Sequence, residues 1–191
     1  MPLSHVTKLY GVNDAAVYSL TTDPAGQPPT FGSKMDVPGV KSLTCQFGLD
    51  MKELRGDMTL LAADSVFKEV KGDLKYAKLS LDVLGVSVAG TVTDSGTTPA
   101  QKSIVTLSQT NLPQYYKTEG QSKQVDYIGG DVHFILFKCM PSTIDMTAFA
   151  EEDYQIQTLS YTAVPLVGTI ASGPPNAWVQ AIANETAAAI V

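Results

Sequence analysis

The chain is poor in the residues that most chemistry needs. Among its 191 residues there are two cysteines, two histidines and one tryptophan. Two histidines leave no room for a multi-histidine metal centre, and the H-E-x-x-H spacing is absent. There is no phosphate-cradling P-loop, no G-x-G-x-x-G turn and no G-x-S-x-G elbow. No catalytic set emerges, so neither an enzyme nor a cofactor-binding protein is expected. Charged residues are 17% of the chain, below the usual quarter, so Ser, Thr, Gln, Gly and Pro must supply much of the surface. Thirteen Lys and Arg against nineteen Asp and Glu give a net charge of −6 with no basic block. Tight non-specific binding to nucleic acid needs many phosphate contacts from cations, and this chain does not offer them. No apolar run reaches the ~18 residues of a membrane-spanning helix. The opening Met1-Pro2-Leu3-Ser4-His5-Val6 lacks a basic segment followed by an apolar one, so no secretory leader is expected.

What is present is an ordinary globular chain. Hydrophobic residues make up 44%, too many for a disordered segment. Neither an internal repeat nor a dividing linker appears, so residues 1–191 read as one domain. Cys45 and Cys139 both sit in apolar runs and are expected to be two buried thiols rather than one disulfide. His133 lies in a strand apolar on both faces and is expected to be packed and hydrogen-bonded, not catalytic. Glu151-Glu152-Asp153 reads as a solvated turn before a strand rather than a cation site. Arg55-Gly56-Asp57 matches an integrin-recognition tripeptide and Asn184-Glu185-Thr186 a glycosylation sequon. Both arise by chance, and both need secretion to matter. Tyr115-Tyr116 could stack a sugar or a base, but cross-strand packing is the simpler expectation.

Period-two alternation dominates. From Lys41 to Glu53 the odd positions are Leu43, Cys45, Phe47, Leu49 and Met51, and the even ones are polar or glycine. That is a strand with one buried and one wet face. Its expected partner runs from Val66 to Tyr76, with Val66, Val70, Leu74 and Tyr76 on one face opposite Glu69, Lys71, Asp73 and Lys75. Ala77 to Ala89 switches to helical spacing, with Ala77, Leu81, Leu84 and Val88 on one face and Gly90 as a stop. Further strands are expected over Thr7–Tyr10, Ala16–Thr21, Ser103–Gln109, Gln114–Thr118, Asp126–Met140 and Tyr154–Pro165. Gly120–Lys123 reads as a turn, Thr91–Gln101 as a turn-rich connection and Thr143–Phe149 as a short helix.

Three stretches fall outside this pattern. Thr22 to Asp36 reads as a long polar loop with only Phe31 for a core, expected to be mobile in a free subunit. Leu54 to Ser65 reads as a long loop between the two main strands, yet it carries Leu54, Met58, Leu60 and Leu61. An apolar excursion of that kind needs cover from elsewhere. Leu54, Arg55, Asp57, Met58, Leu60 and Leu61 are therefore the candidate inter-subunit contacts. From Gly173 the chain reads as a Pro-containing turn and an apolar C-terminal arm around Trp178 and Ile182.

Several segments, in order, resemble the major tail tube proteins of long-tailed, non-contractile bacteriophages. They are Val37–Ser42, Lys52–Ser65, Ala77–Leu84, Gly90–Gly96, Gly129–His133 and Tyr161–Pro165. The resemblance implies a mainly β fold of two packed antiparallel sheets, sandwich- or barrel-like, with one flanking helix and long loops: the tail tube fold. It implies a structural virion protein whose subunits form hexameric rings stacked into a tube. One sheet of each subunit would join its neighbours in a continuous barrel through which DNA is ejected. The implied partners are the chain itself, the tape measure protein, the tail terminator and the distal tail or baseplate proteins. The implied location is the virion tail, with assembly in the host cytoplasm.

If the strands around residues 41–76 line such a tube, Asp50, Lys52, Glu69, Lys71 and Asp73 are the candidate lumen-facing residues. Acids and lysines nearly balance there, so further acidity is expected from Glu53, Asp126 or Asp131. A net-acidic wall would repel the duplex and let it slide. A different class of function also suits a Ser/Thr/Gln-rich β-protein: a secreted or cell-surface β-sandwich that binds carbohydrate or protein.

Overall fold

The computed structural model describes residues 8–56, 59–124, 129–145, 155–171 and 173–190. In chain order the strands are β1 (Leu9–Thr22), β2 (Thr30–Phe31), β3 (Met35–Asp36), β4 (Val40–Leu43), β5 (Gln46–Gly56) and β6 (Thr59–Tyr76). The helix α1 (Leu81–Val88) follows. Then come β7 (Thr91–Ser95), β8 (Lys102–Thr106), β9 (Tyr116–Gln124), β10 (Asp131–Asp145), β11 (Gln157–Ala163) and β12 (Val179–Asn184). The fold is mainly β and sandwich- to barrel-like, with one helix among the described residues. The two sheets are unequal: a ten-stranded antiparallel sheet ordered β2-β1-β9-β10-β11-β6-β4, and the hairpin β7-β8. In the large sheet β3 also pairs with β1, β12 with β10 and β5 with β6.

Alternation builds the core as the sequence suggests. In β11, Gln157, Leu159, Tyr161 and Ala163 are buried while the residues between them are half-exposed. Leu159, Tyr161 and Ala163 form one cluster with Val17, Val70, Leu74, Tyr116, Leu136 and Cys139, against which Leu43 and Cys45 pack. Each large side chain buried there contributes about 1.5–3 kcal/mol. The sheet curls until the end strand β4 faces β9: a Cβ on Gly120 of β9 would come within 2.5 Å of the Leu43 side chain. Gly120 therefore marks a close approach inside a strand, not the turn its composition suggests. Both cysteines are free thiols, Cys139 buried and Cys45 half-buried.

The helix is shorter than its sequence pattern. Ser80 caps it by accepting a hydrogen bond from the Val83 amide, so Ala77–Ser80 lie outside. Ala89 takes the left-handed conformation that ends it. Its buried face is Val83, Leu84 and Ser87, turned from the expected Ala77–Leu81–Leu84–Val88 stripe.

Other local expectations change too. β1 is continuous through Gly11–Asp14, with the irregularity absorbed in its pairing with β9 between Tyr10 and Asp14. Thr91–Gln101 contains strand β7, which pairs with β8. Thr143–Asp145 finishes β10 instead of starting a helix, and residues 146–150 lie outside the described residues. Thr22–Asp36 is not a free loop. Two short strands dock it onto β1. The Asp23 carboxylate also accepts hydrogen bonds from the Val167 and Gly168 amides and from Lys138 Nζ. The expected C-terminal arm is likewise seated, because β12 pairs with β10 from Asp131–Asn184 to Leu136–Val179.

Candidate self-assembly surface

β5 and β6 make a long hairpin, and this corrects the expected loop at Leu54–Ser65. The two strands stay paired from Gln46–Lys71 to Gly56–Thr59. Val70 to Tyr76 also pairs with β11 on the other side, and Val40–Leu43 takes the β5 edge near the base. Beyond Val70, the only strand partner of β6 among the described residues is β5. Most of the hairpin is thus a two-stranded ribbon extending past the sheet.

Glycine makes the base of the ribbon possible. A Cβ on Gly72 would lie 1.9 Å from the Thr44 carbonyl oxygen and 2.6 Å from the Tyr161 hydroxyl. The chain crosses Gly72 at Thr44, whose amide donates to the Asp73 carbonyl at 2.9 Å. Tyr161 Oη donates to the Thr44 carbonyl at 2.6 Å. This crossing separates β4 from β5, so the continuous strand expected over Lys41–Glu53 is broken there.

Two register shifts sort the ribbon's side chains. Gly48 stands opposite Glu69 but Leu49 stands opposite Phe67, leaving Lys68 as a bulge. Facing residues share a side. One side therefore carries Phe47, Leu49 and Met51 with Val70 and Phe67, and Glu53, Ser65 and Ala63 further toward the tip. The other carries Asp50, Lys52 and Leu54 with Lys71, Glu69, Val66, Asp64 and Ala62. Phe47 and Phe67 meet edge to face, 5.9 Å between ring centroids. Val66, expected beside Val70, is on the charged side because of the bulge. Phe67 takes its place, and nothing in simple alternation signalled that exchange.

The apolar side has no cover among the described residues. Phe47 is 51% exposed, Leu49 58%, Met51 62% and Phe67 60%. It borders a cleft of about 480 Å³ whose far wall includes Phe134, Trp178 and Val179. An isolated two-stranded ribbon is marginal in water, and uncovered strand edges are ready templates for another chain. Exposed side chains, open edges and ribbon length together describe a surface built to be covered.

The candidate contact residues divide accordingly. Leu54 is 61% exposed but projects from the charged side. Arg55 reaches back to Glu53 at 2.6 and 2.9 Å, an exposed pair worth little by itself. Asp57 and Met58 lie outside the described residues, as do the side chains of Leu60 and Leu61.

The five candidate lumen residues do share one face. Asp50 and Lys52 project with Glu69 and Lys71, and Asp73 continues that row. Glu69 and Lys71 pair at 2.9 Å, and Asp73 accepts from Ser160 Oγ at 2.6 Å. Asp64, opposite Lys52, belongs to the row but was hidden in the segment read as a loop. The other expected acids do not join it. Glu53 faces Ala63 on the opposite side, Asp131 is buried, and Asp126 lies outside the described residues.

The fold separates the two adjacent tyrosines. Tyr116 is in the core while Tyr115 sits 4.9 Å from Lys138 Nζ, so the two tyrosines share no stacking face. Among the described residues no three of His, Cys, Asp and Glu converge as metal ligands, and no helix is long and apolar enough to cross a membrane. Glu151, Glu152 and Asp153, like His5, lie outside the described residues. No family model matches the chain, and no curated protein matches it.

Proposed function

We propose that the chain is a structural subunit that assembles with copies of itself into stacked hexameric rings, the tail tube of a long-tailed bacteriophage. The observation that carries this reading is the β5–β6 ribbon: one uncovered apolar side, one charged side and open strand edges. A neighbouring copy that pairs with the ribbon would extend the sheet and bury Phe47, Leu49, Met51 and Phe67. Repeated head to tail, such a contact closes a ring. The charged side then faces the axis, where Asp50, Asp64, Glu69 and Asp73 oppose Lys52, Lys71 and Lys75. Mixed charges of nearly balanced sign give the duplex no continuous cationic track to hold it. The ordered run of segments resembling tail tube proteins supports the same reading, as does the lack of a recognisable catalytic set in the sequence.

Negative-stain microscopy of the purified chain tests it. Annular particles or tubes with a central channel are expected. Uniformly small single particles at every concentration would instead favour a monomeric β-sandwich binding module.

A further inference from the structure

The opposite face of the sheet holds a group of buried charged side chains that tube assembly does not explain. His133 on β10 stands between two carboxylates. Its Nδ1 is 2.8 Å from Glu119 Oε1 on β9, and its Nε2 is 3.2 Å from Asp131 Oδ2. Nε2 is also 3.2 Å from the carbonyl oxygen of Ala188. All three side chains are nearly inaccessible, at 6%, 6% and 1%. Lys117 completes the group, 3.1 Å from Glu119 Oε2 and 3.7 Å above the Tyr18 ring.

The same residues grip the chain after β12. Asp131 Oδ2 accepts the Ala188 amide at 2.9 Å, and Asp131 Oδ1 accepts Asn184 Nδ2 at 2.8 Å. Gln121 Nε2 donates to the Ala188 carbonyl at 2.8 Å and also to Asp131. Two residues on, Ile190 is buried beside Ala16, Tyr18 and Phe31. Lys34 Nζ donates to the Ile190 carbonyl at 3.1 Å while pairing with Asp36. The stretch between is exposed: residues 185–189 lie over the sheet and are held at Ala188 and Ile190.

Among the described residues, both ring nitrogens of His133 face only oxygen acceptors. Imidazolium satisfies both with N–H donors; either neutral tautomer would turn one lone pair against an oxygen. With His133 charged, the group is balanced: two carboxylates against His133 and Lys117. Deprotonation leaves an uncompensated negative charge in a site nearly closed to water, where such a charge is costly.

We propose that residues 185–190 form a pH-operated clasp, closed by charged His133 through Asp131 and Ala188 and loosened when His133 loses its proton. Burial by itself would lower the His133 pKa. The hydrogen bonds to Glu119 and Asp131, and then their charges, outweigh burial and raise it. The closed clasp is therefore fully stabilised below the ordinary histidine value and loses that stabilisation as pH rises through the elevated one. Asp131 acts at the acid end. Burial would raise its pKa, but bonds from Asn184, Gln121, the Ala188 amide and His133 hold it below the usual carboxylate value. Among the described residues, the titratable groups facing His133 are Glu119 and Lys117 from β9 and Asp131 from β10. Tyr18 of β1 stands behind Lys117, its phenol pushed above its ordinary range by burial and then by Glu119, Asp36 and Asp14. Opening uncovers the sheet around Ala16 and Tyr18, a surface distinct from the ribbon.

Amide hydrogen exchange on the full chain, corrected for intrinsic rates, tests the clasp between about pH 6 and about pH 9, on either side of the histidine range. The Ala188 amide reports the clasp, and Leu136, paired within β10, reports global opening. In the wild type the Ala188 protection factor should fall as pH rises while that of Leu136 stays level. The fall should approach about tenfold for each unit by which closing raises the His133 pKa. His133→Gln should give low, pH-independent protection at Ala188. Level Ala188 protection in the wild type overturns the proposal. So does a fall shared equally by Leu136, or an unchanged pH profile in His133→Gln. If that variant does not fold, the wild-type profile, read beside a direct titration of the His133 ring, decides alone.

Discussion

Gly72 shows how one residue sets the geometry of the whole surface. Any larger side chain would strike backbone at Thr44 and the Tyr161 hydroxyl, neither of which can turn aside. Gly72→Ala should cost about 1–3 kcal/mol or more, read as a lower urea midpoint, because β5 could no longer leave β4 at this crossing. Asp23 plays a comparable part for the segment between β1 and β3. Burial would raise its pKa, but Lys138 at 2.6 Å and the Val167 and Gly168 amides hold it low. A depressed carboxylate contributes stability that is present above its unfolded value, near 4, and is lost as pH falls through the folded one. Asp23→Ala should flatten the acid limb of a stability–pH curve between about pH 2 and about pH 5. An unchanged acid slope would show that this carboxylate does not tie down the segment. His133 is the opposite case, its stabilisation fading toward alkaline pH. Its packed, hydrogen-bonded state was legible from an apolar strand; its two carboxylate partners, brought together from β9 and β10, were not.

At the scale of the element, alternation was enough to find strands and faces but not to say what covers them. Leu43, Cys45, Phe47, Leu49 and Met51 alternate as one apolar series. Yet only the first two reach this chain's core, and the last three are exposed on the ribbon. The pairing of the two main strands was legible, while the bulge at Lys68 was not. A shift of one residue changes which side chains share a face, and it exchanged Val66 for Phe67. Gly120 misled because a glycine at a close approach looks like a glycine in a turn. Leu54–Ser65 misled because its apolar residues do not alternate (Leu60, Leu61, Ala62 and Ala63 are consecutive), although β5 runs to Gly56 and β6 starts at Thr59. Ser80→Ala removes the cap of α1 and should cost about 1 kcal/mol in denaturant unfolding. Phe47→Asp with Phe67→Asp alters side chains the free subunit leaves in water. Thermal unfolding of that double variant should stay close to wild type while assembly is lost. A large drop in unfolding temperature would mean that the ribbon side is covered within the subunit.

For the whole molecule, charge and surface point the same way. Each chain carries −6, so the proposed ring of six would be strongly acidic overall, although the row from Asp50 to Lys75 nearly balances. Screening confines charge effects to about 8–10 Å at physiological salt, so only side chains at the wall act on a passing duplex. Asp50→Lys with Asp64→Lys should leave tubes intact and slow DNA ejection in a release assay, since each added cation invites a phosphate contact. Unaltered ejection from such tubes would place the wall on another surface. On the proposed reading, copies meet at the apolar side of the ribbon. Sedimentation velocity of wild type beside Phe47→Asp/Phe67→Asp, over a series of protein concentrations, addresses it most directly. The wild type should populate species near six subunits and larger stacks, and the double variant should remain a folded single subunit. A wild type that stays monomeric throughout, or a double variant that assembles equally well, would contradict that claim.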